Sequence, residues 1–77
     1  MSLITLIAIC IHICIQNKNN ILKELLYDYA KKKFTKKQIY LMYIKIASVD
    51  EKTEFYKIMK KWILVNQIQI IKQLLKS

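Results

Sequence analysis

Between Met1 and Gln16 the chain carries no charged side chain, and its polar positions are Ser2, Thr5, His12 and Gln16. The run Gln16-Asn17-Lys18-Asn19-Asn20 interrupts this apolar stretch with loop formers. Beyond the break, Leu22, Leu25, Leu26, Tyr29 and Ala30 recur at the spacing of one helix face. Asn19 or Asn20 supplies an N-cap for that helix, and Lys31, Lys32 and Lys33 fill its last turn, where cations offset the helix dipole. Thr35-Lys36-Lys37-Gln38 has the form of a capping box and predicts a second helix through Ile39, Tyr40, Met42, Tyr43, Ile46 and Ala47. Ser48-Val49-Asp50-Glu51 has the same form. It predicts a third helix, with Asp50, Glu51 and Glu54 at its positive end, running through Phe55, Ile58, Met59, Trp62 and Val65 to about Leu75. From Trp62 to Ile71 that helix is apolar nearly all round, a pattern that calls for burial on more than one side.

The expected fold class is therefore all-α: an apolar N-terminal segment, transmembrane or buried, followed by about three short helices. The expected units are residues 1–17, a membrane anchor or a segment buried in a partner, and residues 18–77, a basic helical domain. As a helix the first 15 residues reach roughly 22 Å, and extension through Asn17 meets the lower limit of a bilayer span, about 17 residues. The reading of a single-pass anchor follows, with the lysines holding the C-terminal domain on the cytoplasmic or organellar matrix side. Two other readings compete. Ile7, Ile9, Ile11, Ile13 and Ile15 alternate with Ala8, Cys10, His12 and Cys14, the signature of a strand added to a partner's sheet. The same stretch has the length of a signal-peptide core, without the basic flank or the small-residue cleavage site.

Composition sharpens the picture. With 77 residues, 55% hydrophobic, 14 basic residues against 5 acidic and a net charge of +9, the chain is a single small basic domain and not a disordered tail. Glycine and proline are absent and every basic residue is lysine, so glycine-built phosphate loops are excluded. Lysine, isoleucine and asparagine are plentiful, which matches the codon usage of an AT-rich genome, organellar, parasitic or viral.

The candidate chemistry is sparse. Cys10, His12 and Cys14 are the one cluster of metal-ligand types, but zinc needs a fourth ligand and other spacings, so buried apolar thiols and a hydrogen-bonded histidine are expected, with no metal and no cofactor. No nucleophile, histidine and acid fall into a catalytic pattern, and the chain is not expected to be an enzyme. Lys31, Lys32, Lys33, Lys36 and Lys37 put five positive charges into seven residues across a helix–helix turn, a candidate contact for phosphates of lipid or RNA. Phe34, inside that run, is expected to staple the turn rather than stack on a base. Read as a helix-turn-helix, the second helix offers Ile-Tyr-Leu-Met-Tyr-Ile where polar groups would read bases, so sequence-specific DNA binding is not expected. Ile7, Ile9, Ile11, Ile13, Ile15, Trp62, Ile63 and Leu64 are the expected packing surface toward membrane or partner.

Together these features lead to an expected function: a small accessory or structural subunit of a membrane-bound multiprotein complex, for instance at the mitochondrial inner membrane with its C-terminal domain in the matrix. Its partners would be other protein subunits and anionic lipid. The alternatives are a small basic ribosomal or RNA-binding protein of an organelle, and a stand-alone membrane-active or viral membrane protein.

Overall fold

The computed structural model describes residues 1–77 and contains four α-helices and no strand. They are α1 (Leu3–Gln16), α2 (Asn20–Lys33), α3 (Lys36–Ala47) and α4 (Glu54–Leu75). The expected all-α class is present, and the basic region divides into three helices as the capping pattern suggested.

The apolar N-terminal segment forms the centre of the fold. Ser2 starts α1 by accepting a hydrogen bond from the Thr5 amide at 3.2 Å. The helix then packs against α2, α3 and α4. Ile7, Ala8, Ile11, Ile13 and Cys14 are buried, while Ile4, Ile9 and Cys10 are partly covered. A helix touched from three directions needs apolar residues around most of its circumference, not along one stripe. The isoleucine alternation that suggested a strand reflects this requirement. The segment is helical from Leu3 to Gln16, and Ile7, Ile11 and Ile13 are all buried among the helices around it.

The single-pass anchor is corrected on the same ground. At 14 residues, or about 21 Å, α1 is too short to span a bilayer. With 22 residues α4 has the length, but it carries Glu54, Lys57, Lys60, Lys61 and Lys72. No helix is long and apolar enough to cross a membrane. The orientation inferred from the lysines presupposed a span and lapses with it.

The α1–α2 joint is tight. Lys18 adopts a left-handed backbone with φ of 56°. Asn19 N donates to Cys14 O at 2.9 Å and Lys18 N to Ile15 O at 3.2 Å, which together make a Schellman turn. Glycine usually takes that position; a lysine there costs on the order of 1 kcal/mol. Asn19 also caps α2 through its side-chain oxygen to Leu22 N, and its amide donates to Gln67 Oε1 on α4 at 3.1 Å. One residue thus ends the first joint, starts α2 and ties both to the last helix.

Thr35 and Gln38 form the full capping box at the start of α3, with both reciprocal bonds present. The second expected box is not formed. Ser48 instead ends α3, its hydroxyl donating to Lys45 O at 3.2 Å, and Asp50 accepts from Lys52 N within the connecting loop. The α4 cap is Thr53, which accepts from Tyr56 N at 3.1 Å. Asp50 and Glu51 therefore lie in the loop, and only Glu54 occupies the first turn of α4.

Twelve buried residues form one core: the five of α1 with Leu22, Leu26, Ala30, Met42, Ile46, Tyr56 and Ile63. The radius of gyration, 11.8 Å, is close to that of a compact chain of this length, about 11.5 Å, so the four helices close on one another.

Candidate functional site

Two surfaces stand out, and each is built by the helix ends and faces just described. The first is the corner between α2 and α3. Lys31, Lys32 and Lys33 lie in the last turn of α2, where the carbonyl end of the helix favours cations. Lys36 and Lys37 lie in the first turn of α3, at its positive end, where a cation is disfavoured. Acidic neighbours do not compensate. The contacts within 4.0 Å between basic and acidic side chains are His12–Glu51, Lys23–Glu24 and Lys57–Glu54, so all five corner lysines lack a carboxylate partner. Lys33 is partly engaged, its ammonium 5.5 Å from the centre of the Tyr29 ring.

Aromatic side chains shape the corner. Phe34 and Ile39 are half-buried at the positions of a hydrophobic staple, and together with Lys31, Lys36, Tyr40 and Tyr43 they line an open groove. Tyr43 is braced by Tyr27, with ring centres 5.9 Å apart. Tyr40 also borders a second groove, beside Lys37, Gln38 and Leu41. Tyr40 is 69% exposed and stands as a ridge with lysines in the grooves on both sides.

The second surface is the outer face of α4. Tyr56, Met59, Ile63, Gln67 and Ile70 turn toward the rest of the fold. The opposite face shows Phe55, Ile58, Trp62, Val65 and Ile68, all exposed, with Val65 at 82%. Spacings of three and four residues put these five on one continuous stripe. Lys57, Lys60, Lys61, Lys72 and Lys76 accompany it, and no acidic residue occurs from position 55 onward. The whole chain exposes 5462 Å², more than the roughly 5,000 Å² expected of a folded chain this size, and 15 large hydrophobic residues contribute to that surface.

The packing residues expected from the sequence divide between inside and outside. Ile7, Ile11, Ile13 and Ile63 are core, Ile9 is partly covered, and Ile15, Trp62 and Leu64 are about half exposed. The first group is buried within its own chain, and the partner's role there is taken by α2, α3 and α4. The hydrogen bond expected of His12 is present, and its partner comes from α4. His12 Nδ1 lies 2.9 Å from Tyr56 Oη, a hydrogen bond whose direction follows the imidazole tautomer, with the rings edge to face at 5.5 Å. His12 Nε2 is 3.9 Å from Glu51 Oε1. The apolar context of His12 signalled only that a partner was needed; which residue supplies it depends on how α4 returns across α1.

Cys10 and Cys14 lie one turn apart on α1 and are free thiols. Burial pushes both up from 9.0 to about 11; the neighbouring Cys10 adds to the rise at Cys14 and Lys23 opposes it. Protonated thiols are poor nucleophiles and poor metal ligands, and no group of three metal-ligating side chains gathers anywhere in the chain. The thiols still affect stability. Each ionises more easily in the unfolded chain, so its contribution is complete below pH 9.0 and is lost as pH rises through about 11. Burial raises Tyr27 and Tyr56 as well, in the same sense. The urea midpoint should fall between pH 9 and 11, and the fall should be shallower in Cys10→Ala; an unchanged midpoint over that range would contradict the burial of these groups.

Comparison with known proteins identifies no relative: no protein-family model, curated protein or solved structure matches the chain.

Proposed function

We propose that this chain is a non-enzymatic accessory subunit of a larger multiprotein complex, held there by the outer face of α4. The observation that carries this reading is the stripe of Phe55, Ile58, Trp62, Val65 and Ile68 on the side of α4 away from the core. Small monomers seldom expose a continuous apolar stripe, and a tryptophan at the middle of one is the residue type that most often anchors an interface. The lysines beside the stripe favour a partner with an acidic rim. Engagement of His12 by Tyr56 and the protonated state of both thiols support a non-catalytic role.

In this reading the complex is membrane-bound. The chain is drawn to the anionic leaflet by its net charge of +9 and attached through folded surfaces, without a span of its own. The direct test is Val65→Glu, introduced in the native source at a site too exposed to disturb folding. In a mild detergent extract the wild-type chain should sediment with a large particle, and the variant should sediment near the size of the free chain. A wild-type chain that sediments alone would overturn the reading. A second reading, a ribonucleoprotein component, is favoured by one specific feature, the unpaired lysines of the α2–α3 corner.

A further inference from the structure

We infer that the α2–α3 corner is a binding site for single-stranded nucleic acid, with one base stacked on Tyr40 and the flanking phosphates held by Lys31 and Lys36 on one side and Lys37 on the other. This deepens the ribonucleoprotein reading and is independent of docking through α4.

Three observations converge on it. The first is electrostatic: five lysines in seven residues have no carboxylate within ion-pair distance, although five acidic residues were available in the chain. Lys36 and Lys37 moreover sit at the positive end of α3, against their preference. Free-standing, that arrangement is repulsive. A phosphate bound there removes the repulsion among the lysines and complements the helix end.

The second observation is shape. Charge alone attracts any phosphate, whether on lipid or on nucleic acid. The corner, however, is not a flat cationic patch. It holds two open grooves that share Tyr40 as their common wall. The first groove, of about 400 Å³, has Lys31 and Lys36 along an apolar and aromatic lining. An exposed flat ring between two cationic grooves matches a strand whose bases stack while its backbone tracks positive charge. A bilayer surface has no use for that alternation, and the apolar stripe suited to a bilayer or a protein lies on α4.

The third observation selects single strands. Beyond Gln38, whose side-chain oxygen is taken by the capping box, the exposed residues of α3 are Tyr40, Leu41, Tyr43, Ile44 and Ala47, which do not offer the hydrogen-bonding array needed to read base edges in a duplex groove. A base must be unstacked before its face can meet Tyr40. Recognition would therefore be tolerant of sequence and dependent on strandedness.

The test uses the full chain and three probes: a fluorescent oligouridylate, an abasic strand of the same length, and phosphatidylserine vesicles. Oligouridylate should bind about tenfold more tightly than the abasic strand. Tyr40→Ala should remove that advantage and leave abasic binding unchanged, while Tyr40→Trp, which keeps a flat ring, should preserve it. Replacing Lys31, Lys36 and Lys37 together by glutamine should weaken both strands and make the slope of log affinity against log salt shallower by about 2. These positions are exposed, and far-UV circular dichroism with a thermal melt checks that each variant stays folded. Equal binding of the two strands, or a Tyr40→Ala variant that leaves their ratio unchanged, would reduce the corner to a non-specific charge and overturn the proposal. Vesicle binding without strand binding would overturn it in favour of a lipid surface. Because Val65→Glu leaves the corner intact, it should not alter strand binding. Loss of the docking reading and loss of this one are thus separable.

Discussion

Ile11→Ala should lower the melting temperature by roughly 12–24 °C, whereas Ile15→Ala, one turn further along the same helix, should lower it by only a few degrees. Ile11 is fully buried at the centre of the one core, and Ile15 is 44% exposed. Deleting a buried isoleucine side chain to alanine costs about 3 kcal/mol, the lost transfer energy plus the cavity left behind. In a domain of this size each kcal/mol corresponds to about 4–8 °C. The chain has few ways to absorb the loss. Its core is twelve residues, and total stability for 77 residues is on the order of 4–11 kcal/mol. Thermal melts followed by circular dichroism decide the matter. Equal losses at both positions would mean that α1 is not enclosed by the other three helices.

The second large effect is expected at Tyr56, which serves two purposes. Its ring fills the core where α4 begins, and its hydroxyl is the partner of His12. Tyr56→Phe removes only the hydrogen bond and leaves His12 Nδ1 without a partner in a partly buried site, at a cost of about 1–2 kcal/mol. Tyr56→Ala also removes the ring, for about 4 kcal/mol in all. That is enough to leave a substantial fraction unfolded at body temperature. Urea titrations of the two variants separate the contributions. If the phenylalanine variant is as stable as wild type, the His12–Tyr56 bond contributes nothing to the fold.

Local signals in the sequence and contacts that depend on the whole chain were legible to different degrees. Caps are local, and Asn19 and Thr35 start α2 and α3 where their side-chain oxygens can reach the amide three residues on. The Ser48 box failed for an equally local reason. Thr53 stands three residues before Tyr56 N and offers a competing cap that lets Asp50 brace the loop through Lys52 N. Ile7 to Ile15 misled because an uncharged run has the same composition whether lipid, a partner sheet or its own chain covers it. The distinction rests on the apolar faces of Leu22, Leu26, Met42, Ile46 and Ile63, which are sufficient together to enclose a helix. The lysine corner was legible as charge. Tyr40 as a ridge was not, because its apolar context resembled core, and its exposure follows from Met42 and Ile46 being the residues that α3 turns inward.

The central position of α1 also has a consequence for biosynthesis. During synthesis the most apolar helix, α1, leaves the ribosome before the three helices that enclose it, and of these α4 follows last. Until then α1 presents the kind of uncharged, isoleucine-rich surface that general chaperones and targeting factors bind. Folding speed after release of α4, rather than stability of the finished protein, would decide whether a nascent chain buries α1 or is captured through it. The same order makes the protein sensitive to premature termination. A chain stopped before Tyr56 would lack the partner of His12 and would emerge with its core helix uncovered on one side, a product fit for degradation rather than partial function.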